Sequence, residues 1–231
     1  MNADKLKDNL DSVHERMAGA CARAGRNEAD VRLVAVTKTV TADVAAQLVE
    51  LGVMDIGENR VQEAARKREA LAGLDVAWHM IGHLQTNKVK DALRLFDVIH
   101  SVDSFHLAEA VSKRASSQGE TASVLVQVDV AGEETKFGVP VADAAAEIQR
   151  MSELPGLRIE GLMTMAPFVD DAETVRPVFA RLREVAGEID ALGLPGVEMR
   201  HLSMGMTQDF EIAIEEGATL IRVGSALFAG V

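Results

Sequence analysis

The sequence predicts a (β/α)8 TIM barrel, and three observations predict it. Short apolar runs alternate with longer stretches of helical periodicity from residue 31 onward. The runs number eight and no hairpin turn joins any two of them, which argues for a parallel sheet. The chain is 231 residues long, and α/β barrels commonly use roughly 200 to 250 residues for one core. A doubly wound sheet would place a Gly-rich dinucleotide loop after its first strand. Here Thr37-Lys38-Thr39 follows instead.

An opening amphipathic helix over about residues 3–25 is predicted from Leu6, Leu10, Val13, Met17 and Ala20, spaced by three or four, with Gly25 as its stop. The eight candidate strands are 31–37, 53–57, 77–81, 97–102, 123–130, 158–165, 198–204 and 219–224. Between them helical periodicity spans 42–51, 60–72, 84–95, 104–118, 140–152, 171–192 and 207–217, with Thr41 and Ser104 as capping residues. The nearest thing to a linker, Leu192-Gly193-Leu194-Pro195-Gly196, is short enough to be a helix–strand loop. Residues 1–231 therefore read as one domain.

Composition narrows the function. With 24 Lys+Arg against 36 Asp+Glu the formal charge is −12, which opposes binding to nucleic acid and to anionic membrane surfaces. The single cysteine, Cys21, excludes an intrachain disulfide and any zinc site needing several cysteines. Residues 1–10 alternate Asp and Lys where a signal peptide needs an apolar stretch, and no run approaches a membrane span. The expectation is a cytoplasmic protein without a metal site.

Barrel sites stand at the C-terminal ends of the strands. Lys38 ends the first, after the near-continuous apolar run 31–37, so a partly desolvated, nucleophilic amine is expected there, against the plainer reading of a solvated lysine or one paired with Glu58. Ser203-Met204-Gly205 follows the seventh strand, and Gly224-Ser225 follows the eighth and opens a short helical tail, Ala226-Leu227-Phe228. Backbone N–H groups from those two loops are the usual phosphate cradle of a barrel. Because the eighth strand pairs with the first, an aldehyde carrying a phosphate would bridge amine and cradle, and pyridoxal 5′-phosphate is such a compound. Arg222, two residues before Gly224, faces the same side of its strand and could donate to a pyridine nitrogen.

Several segments then carry a family resemblance: Val34–Thr39, Gly57–Glu63, Trp78–Lys88, Ser101–Ser104, Gly161–Pro167, Leu202–Met206 and Ile221–Phe228. Together, in order and over nearly the whole chain, they resemble the pyridoxal phosphate homeostasis protein family. The resemblance implies a single-domain barrel like the N-terminal domain of alanine racemase (fold type III), with the cofactor held as an internal aldimine on Lys38. It implies Asn59 near the ring, Arg222 facing the ring nitrogen, and Ser203, Gly224 and Ser225 on the phosphate. His79, Met80, His83 and Met163 are expected in the pocket wall, although His79 could equally be a core histidine and the methionines simple packing. Position 60 is Arg where the family often has Tyr, and position 225 is Ser where it often has Thr; neither removes a proposed contact. Lys136 matches a further family segment in the loop after the fifth strand, where a solvated lysine is the simpler reading.

The resemblance also implies a cofactor carrier with no catalytic residue, with PLP-dependent apo-enzymes as candidate acceptors; a mostly charged exterior and the lack of the racemase-type second domain point to a monomer. Two alternatives compete. An amino-acid racemase needs a second base opposite the lysine; related racemases use a tyrosine from an additional domain of a partner subunit, and this chain has no Tyr. A cofactor-free Schiff-base aldolase would share the lysine and the cradle but would be colourless.

Overall fold

The protein is described by a computed structural model over residues 3–132 and 137–231. Eight parallel strands close into a barrel: β1 (Arg32–Val36), β2 (Asp55–Glu58), β3 (Ala77–Met80), β4 (Val98–Val102), β5 (Ala122–Asp129), β7 (Leu157–Met163), β8 (Val197–Ser203) and β9 (Leu220–Val223). Each pairs with its neighbours in that order, β4 pairs with β5, and β9 closes on β1 with Ala35 opposite Val223. The two-residue strand β6 (Val139–Pro140) pairs with the last two residues of β5, Val128 and Asp129, and lies outside the ring. All eight expected strands are present, displaced by a residue or two at their ends; β6 is the one the periodicity missed, because two residues carry no alternation to read.

The outer layer holds α2 (Ala42–Glu50), α3 (Val61–Ala70), α4 (Val89–Leu95), α5 (Phe105–Ser117), α6 (Ala144–Ser152), α7 (Arg176–Asp190) and α8 (Phe210–Glu215). The helix expected from residue 84 starts at Val89, after a 3-10 turn at Thr86–Lys88. That expected from 171 begins with a 3-10 turn at Ala172–Val175, and Pro177 sits in the first turn of α7, where its missing N–H costs nothing. Ser104 caps α5 as expected, accepting from the Leu107 N–H at 3.3 Å. Thr41 occupies the cap position of α2 but its hydroxyl makes no capping bond.

The first helix, α1 (Ala3–Ala24), takes the place on the outer ring of the helix that would follow β9. It packs between α8 and α2, burying the expected stripe of Leu6, Leu10, Val13, Met17 and Ala20, and Cys21 beside it. Arg16 bridges to Glu211 at 2.7 Å and Arg23 to Glu215 at 2.6 Å. The buried Asn9 amide donates to the carbonyls of Leu227 and Ala229, both at 3.0 Å, and ties down the turns after β9.

Two apolar clusters result. The larger fills the layer between strands and helices, and a small one, Val34, Leu125, Met163 and Leu220, sits inside the barrel. Because side chains alternate along a strand, residues two positions from these also point inward, and several of them are polar, Arg222 two after Leu220 among them.

Candidate functional site

The C-terminal mouth is built from the end of β1 outward. Thr37 continues the strand, donating its N–H to the Gly57 carbonyl at 3.1 Å, and the chain then turns so that Val40 N–H reaches the Thr37 carbonyl at 3.1 Å. Lys38 sits on that turn, exposed, with no hydrogen-bond or ion-pair partner among the described residues. The expected desolvation is therefore absent: the turn carries the residue beyond the apolar strand before its side chain begins. Nor does Lys38 pair with Glu58. That carboxylate, fully buried at the end of β2, accepts from the Thr37 hydroxyl and from Lys67 Nζ, each at 2.6 Å. Lys67, on α3, also donates to the Thr37 carbonyl at 2.5 Å. Only Oε1 of Glu58 is used; Oε2 is buried without a partner.

Beside β1 stands the start of the last loop. Gly224 lies against Val36, and a Cβ there would come within 3.2 Å of the Val36 carbonyl oxygen. The N–H groups of Gly224 and Ser225 make no hydrogen bond among the described residues. Leu227 and Phe228 both donate back to the Gly224 carbonyl, at 3.0 and 3.2 Å, so the expected helical tail is a series of turns. Ser225 is exposed and its hydroxyl donates to Thr207 Oγ1 at 3.1 Å. Across from it, Gly205 has φ +90°, and a Cβ would stand 2.5 Å from that of Ala213, so only glycine lets α8 come this close to the loop after β8.

Below the mouth, Arg222 points into the barrel as expected. It donates to the Ser203 hydroxyl at 2.6 Å and to the Thr164 carbonyl at 2.9 Å. Burial pulls its guanidinium down to about 10, which leaves it a cation at neutral pH. The Ser203 hydroxyl is thereby turned inward, between Arg222 and His100 Nδ1 at 2.9 Å, and is not part of the loop cradle where a phosphate contact was expected. His79 likewise departs from the expected pocket wall: its ring nitrogens contact Asp55 Oδ1 and His100 Nε2, each at 2.8 Å, leaving neither for a ligand. Arg32 completes the row with a bidentate contact to Asp55. Burial alone would push the Asp55 carboxyl up, but the hydrogen bonds from His79 and Arg32 outweigh it and hold it below the usual carboxylate range.

Met80, next in sequence to inward-facing His79, turns outward into the strand–helix core, and Met163 packs in the small interior cluster; both are packing residues. Asn59 is half-buried at the end of β2 with its side-chain amide unpartnered among the described residues. His83 is at the rim, 3.1 Å from Asp103 and stacked on Phe137. Lys136 lies outside the described residues. The mouth thus brings together Lys38, Gly224, Ser225 and Asn59, while Ser203, His79 and Arg222 belong to one interior row. Sequence reading missed Arg32, Asp55 and Lys67. A signal existed for Arg32 and Asp55, since a charge inside a barrel strand marks an inward polar position, but Lys67 looks like any lysine of a charged helix.

Among the described residues no three His, Cys, Asp or Glu side chains gather to hold a metal ion, and no helix is long and apolar enough to cross a membrane.

Comparison with known proteins follows this geometry. The alanine racemase N-terminal domain family matches residues 2–230. A pyridoxal phosphate homeostasis protein of Aquifex aeolicus is 45% identical over 96% of either chain, and one of Pseudomonas aeruginosa is 38% identical over 96% of this chain and 94% of its own. The structure of PipY of Synechococcus elongatus with PLP bound superposes with a TM-score of 0.82 at 38% identity, covering 94% of this chain and all of that one. A barrel closed by β9 on β1, matched over nearly its whole length by one family model and by these curated relatives, leaves one assignment: the chain belongs to the alanine racemase N-terminal domain family and, within it, to the pyridoxal phosphate homeostasis proteins.

Proposed function

We propose that the mouth of this barrel binds pyridoxal 5′-phosphate, with the Lys38 amine meeting the aldehyde and the Gly224 and Ser225 amides meeting the phosphate. The observation that carries the reading is the juxtaposition of an unpartnered amine and two unpartnered backbone N–H groups where β9 closes on β1. The close fit of Gly224 on Val36 supports it, because a side chain there would push the loop off the strand and spoil the cradle. When bound, the cofactor supplies an electrophilic carbon and a conjugated ring that absorbs visible light.

The residues of the chain hold that group in complementary ways. Lys38 is free to turn toward the mouth because nothing else claims its amine. The half-buried Asn59 amide flanks the ring, and Arg222 faces the ring nitrogen from below. A guanidinium only donates, so Arg222 keeps that nitrogen unprotonated and weakens the ring as an electron sink. Ser203 acts through Arg222 and not on the phosphate.

Relatives at 45% and 38% identity are named for homeostasis of the cofactor, and a chain without tyrosine lacks the residue type that related racemases use as the second base. We therefore read the protein as a monomeric cytoplasmic carrier from which PLP-dependent apo-enzymes draw. The test is an absorption spectrum of protein incubated with PLP, then borohydride reduction and peptide mapping. A visible band and a phosphopyridoxyl adduct on Lys38, absent in Lys38→Ala, are expected. Protein that takes up no PLP, or an adduct on another lysine, overturns the reading.

A further inference from the structure

Six side chains from six strands form one row across the barrel interior: Arg32, Asp55, His79, His100, Ser203 and Arg222. Their hydrogen bonds can be directed one by one. An arginine has no acceptor, so the 2.6 Å contact is a donation from Arg222 to the Ser203 oxygen. The serine proton then goes to the one remaining neighbour, His100 Nδ1 at 2.9 Å, since no other acceptor is bonded to that hydroxyl among the described residues. His100, bare at Nδ1, must carry its proton on Nε2 and donate it to His79 Nδ1 at 2.8 Å. His79 in turn is bare at Nδ1 and donates from Nε2 to Asp55 Oδ1 at 2.8 Å. Asp55, facing Arg32 on its other side, is the anion that terminates the row.

We infer that Asp55, His79 and His100 are positioning residues for Arg222, acting through Ser203, with both imidazoles fixed as neutral Nε2–H tautomers. The four bonds from Arg222 to Asp55 all point the same way, from the guanidinium below the mouth to the carboxylate near the opposite end, where Arg32 meets Asp55 from the other side. Reversing any one of them strands a proton on Ser203 or sets two N–H groups face to face. Such a row polarises cooperatively, so the Asp55 charge strengthens the acceptor that Ser203 offers Arg222. The buried setting of His100 agrees, because burial above all, with the charge of Arg222 nearby, holds its imidazole well below the ordinary histidine value. The consequence for a bound cofactor rests on the function proposed above; the row itself does not.

Nitrogen-15 NMR of the protein without added cofactor decides the inference. Long-range proton–nitrogen correlation should show two buried imidazoles, each bare at Nδ1 and protonated at Nε2. A proton on Nδ1 of either one overturns the assignment, and this measurement needs no variant to fold. Ser203→Ala takes the donor from His100 Nδ1 while His79 still holds the proton on Nε2, so the Nδ1 signal should move to that of an unbonded imine nitrogen and Ser203→Thr should restore it; an Nδ1 signal unchanged in Ser203→Ala overturns the role of the hydroxyl. With PLP added, Ser203→Ala should shift the visible band and Ser203→Thr should not. Identical bands in wild type and Ser203→Ala would overturn the action on Arg222, whereas wild-type protein that takes up no PLP would defeat the proposed function and leave the tautomer result standing.

Discussion

Two lysines whose chains meet the end of β1 have opposite fates. Lys67 is buried, with its ammonium on the Glu58 carboxylate and the Thr37 carbonyl, while Lys38, one residue past that same threonine, is exposed and unpartnered. Burial spends a lysine: the pairs that make it tolerable in the low-dielectric interior also occupy its protons and block its approach. The residue left for chemistry is the one the fold does not use. Lys67 serves Lys38 indirectly, since it clamps the Thr37 carbonyl from which the Lys38 turn springs.

The largest effect that can break this contrast is Lys67→Met. It leaves the Glu58 carboxylate buried and unpaired, and loss of one partner from a buried pair costs about 3–5 kcal/mol. Urea denaturation should record that loss, and the double variant Glu58→Leu/Lys67→Met should recover a substantial part of it. A single variant that loses less than about 1 kcal/mol would show that the pair is dispensable.

Next in size is an effect of pH. His100 is to the imidazoles what Lys67 is to the amines, buried and fully bonded, but it is kept neutral. Its folded-state pKa lies below the value in the unfolded chain, so between the two the unfolded chain holds one more proton than the native one. Stability therefore falls as pH drops below the ordinary histidine value near 6.5, by about 1.4 kcal/mol per pH unit for this residue. His201, held low mainly by its burial, adds in the same direction. Denaturation curves at pH 7 and pH 5.5 should show the slope, and His100→Gln should flatten it. A variant as steep as wild type would mean that other groups carry the acid sensitivity.

The smallest expected effect on stability is that of Lys38→Ala. An exposed side chain without partners should change unfolding by no more than about 0.5 kcal/mol, while the same substitution abolishes the borohydride-trapped adduct. A marked drop in stability would show that Lys38 has structural work the contrast denies it.

The barrel was legible because its strands and helices differ in period, and each of the eight apolar runs became a strand of the ring. The α1 stripe was equally plain, since residues spaced by three and four can be buried together only on a helix. What could not be read was the use of polar residues within those elements. His79 and Met80 are adjacent and both buried, yet strand alternation sends one into the interior row and the other into the helix layer. Ser203 stands at the strand end where a cradle residue is expected, and its hydroxyl turns inward because Arg222 and His100 offer it two charge-assisted or polar partners there.

The sequence by itself determined the number and order of the ring strands, the closure partner of the first strand, and the candidates at the mouth, because periodicity and chain order are local properties. Tertiary structure decided which candidates are free. Whether a lysine is paired, or a histidine has a nitrogen to spare, depends on residues between 9 and 103 positions away that reach the same point only when the ring closes.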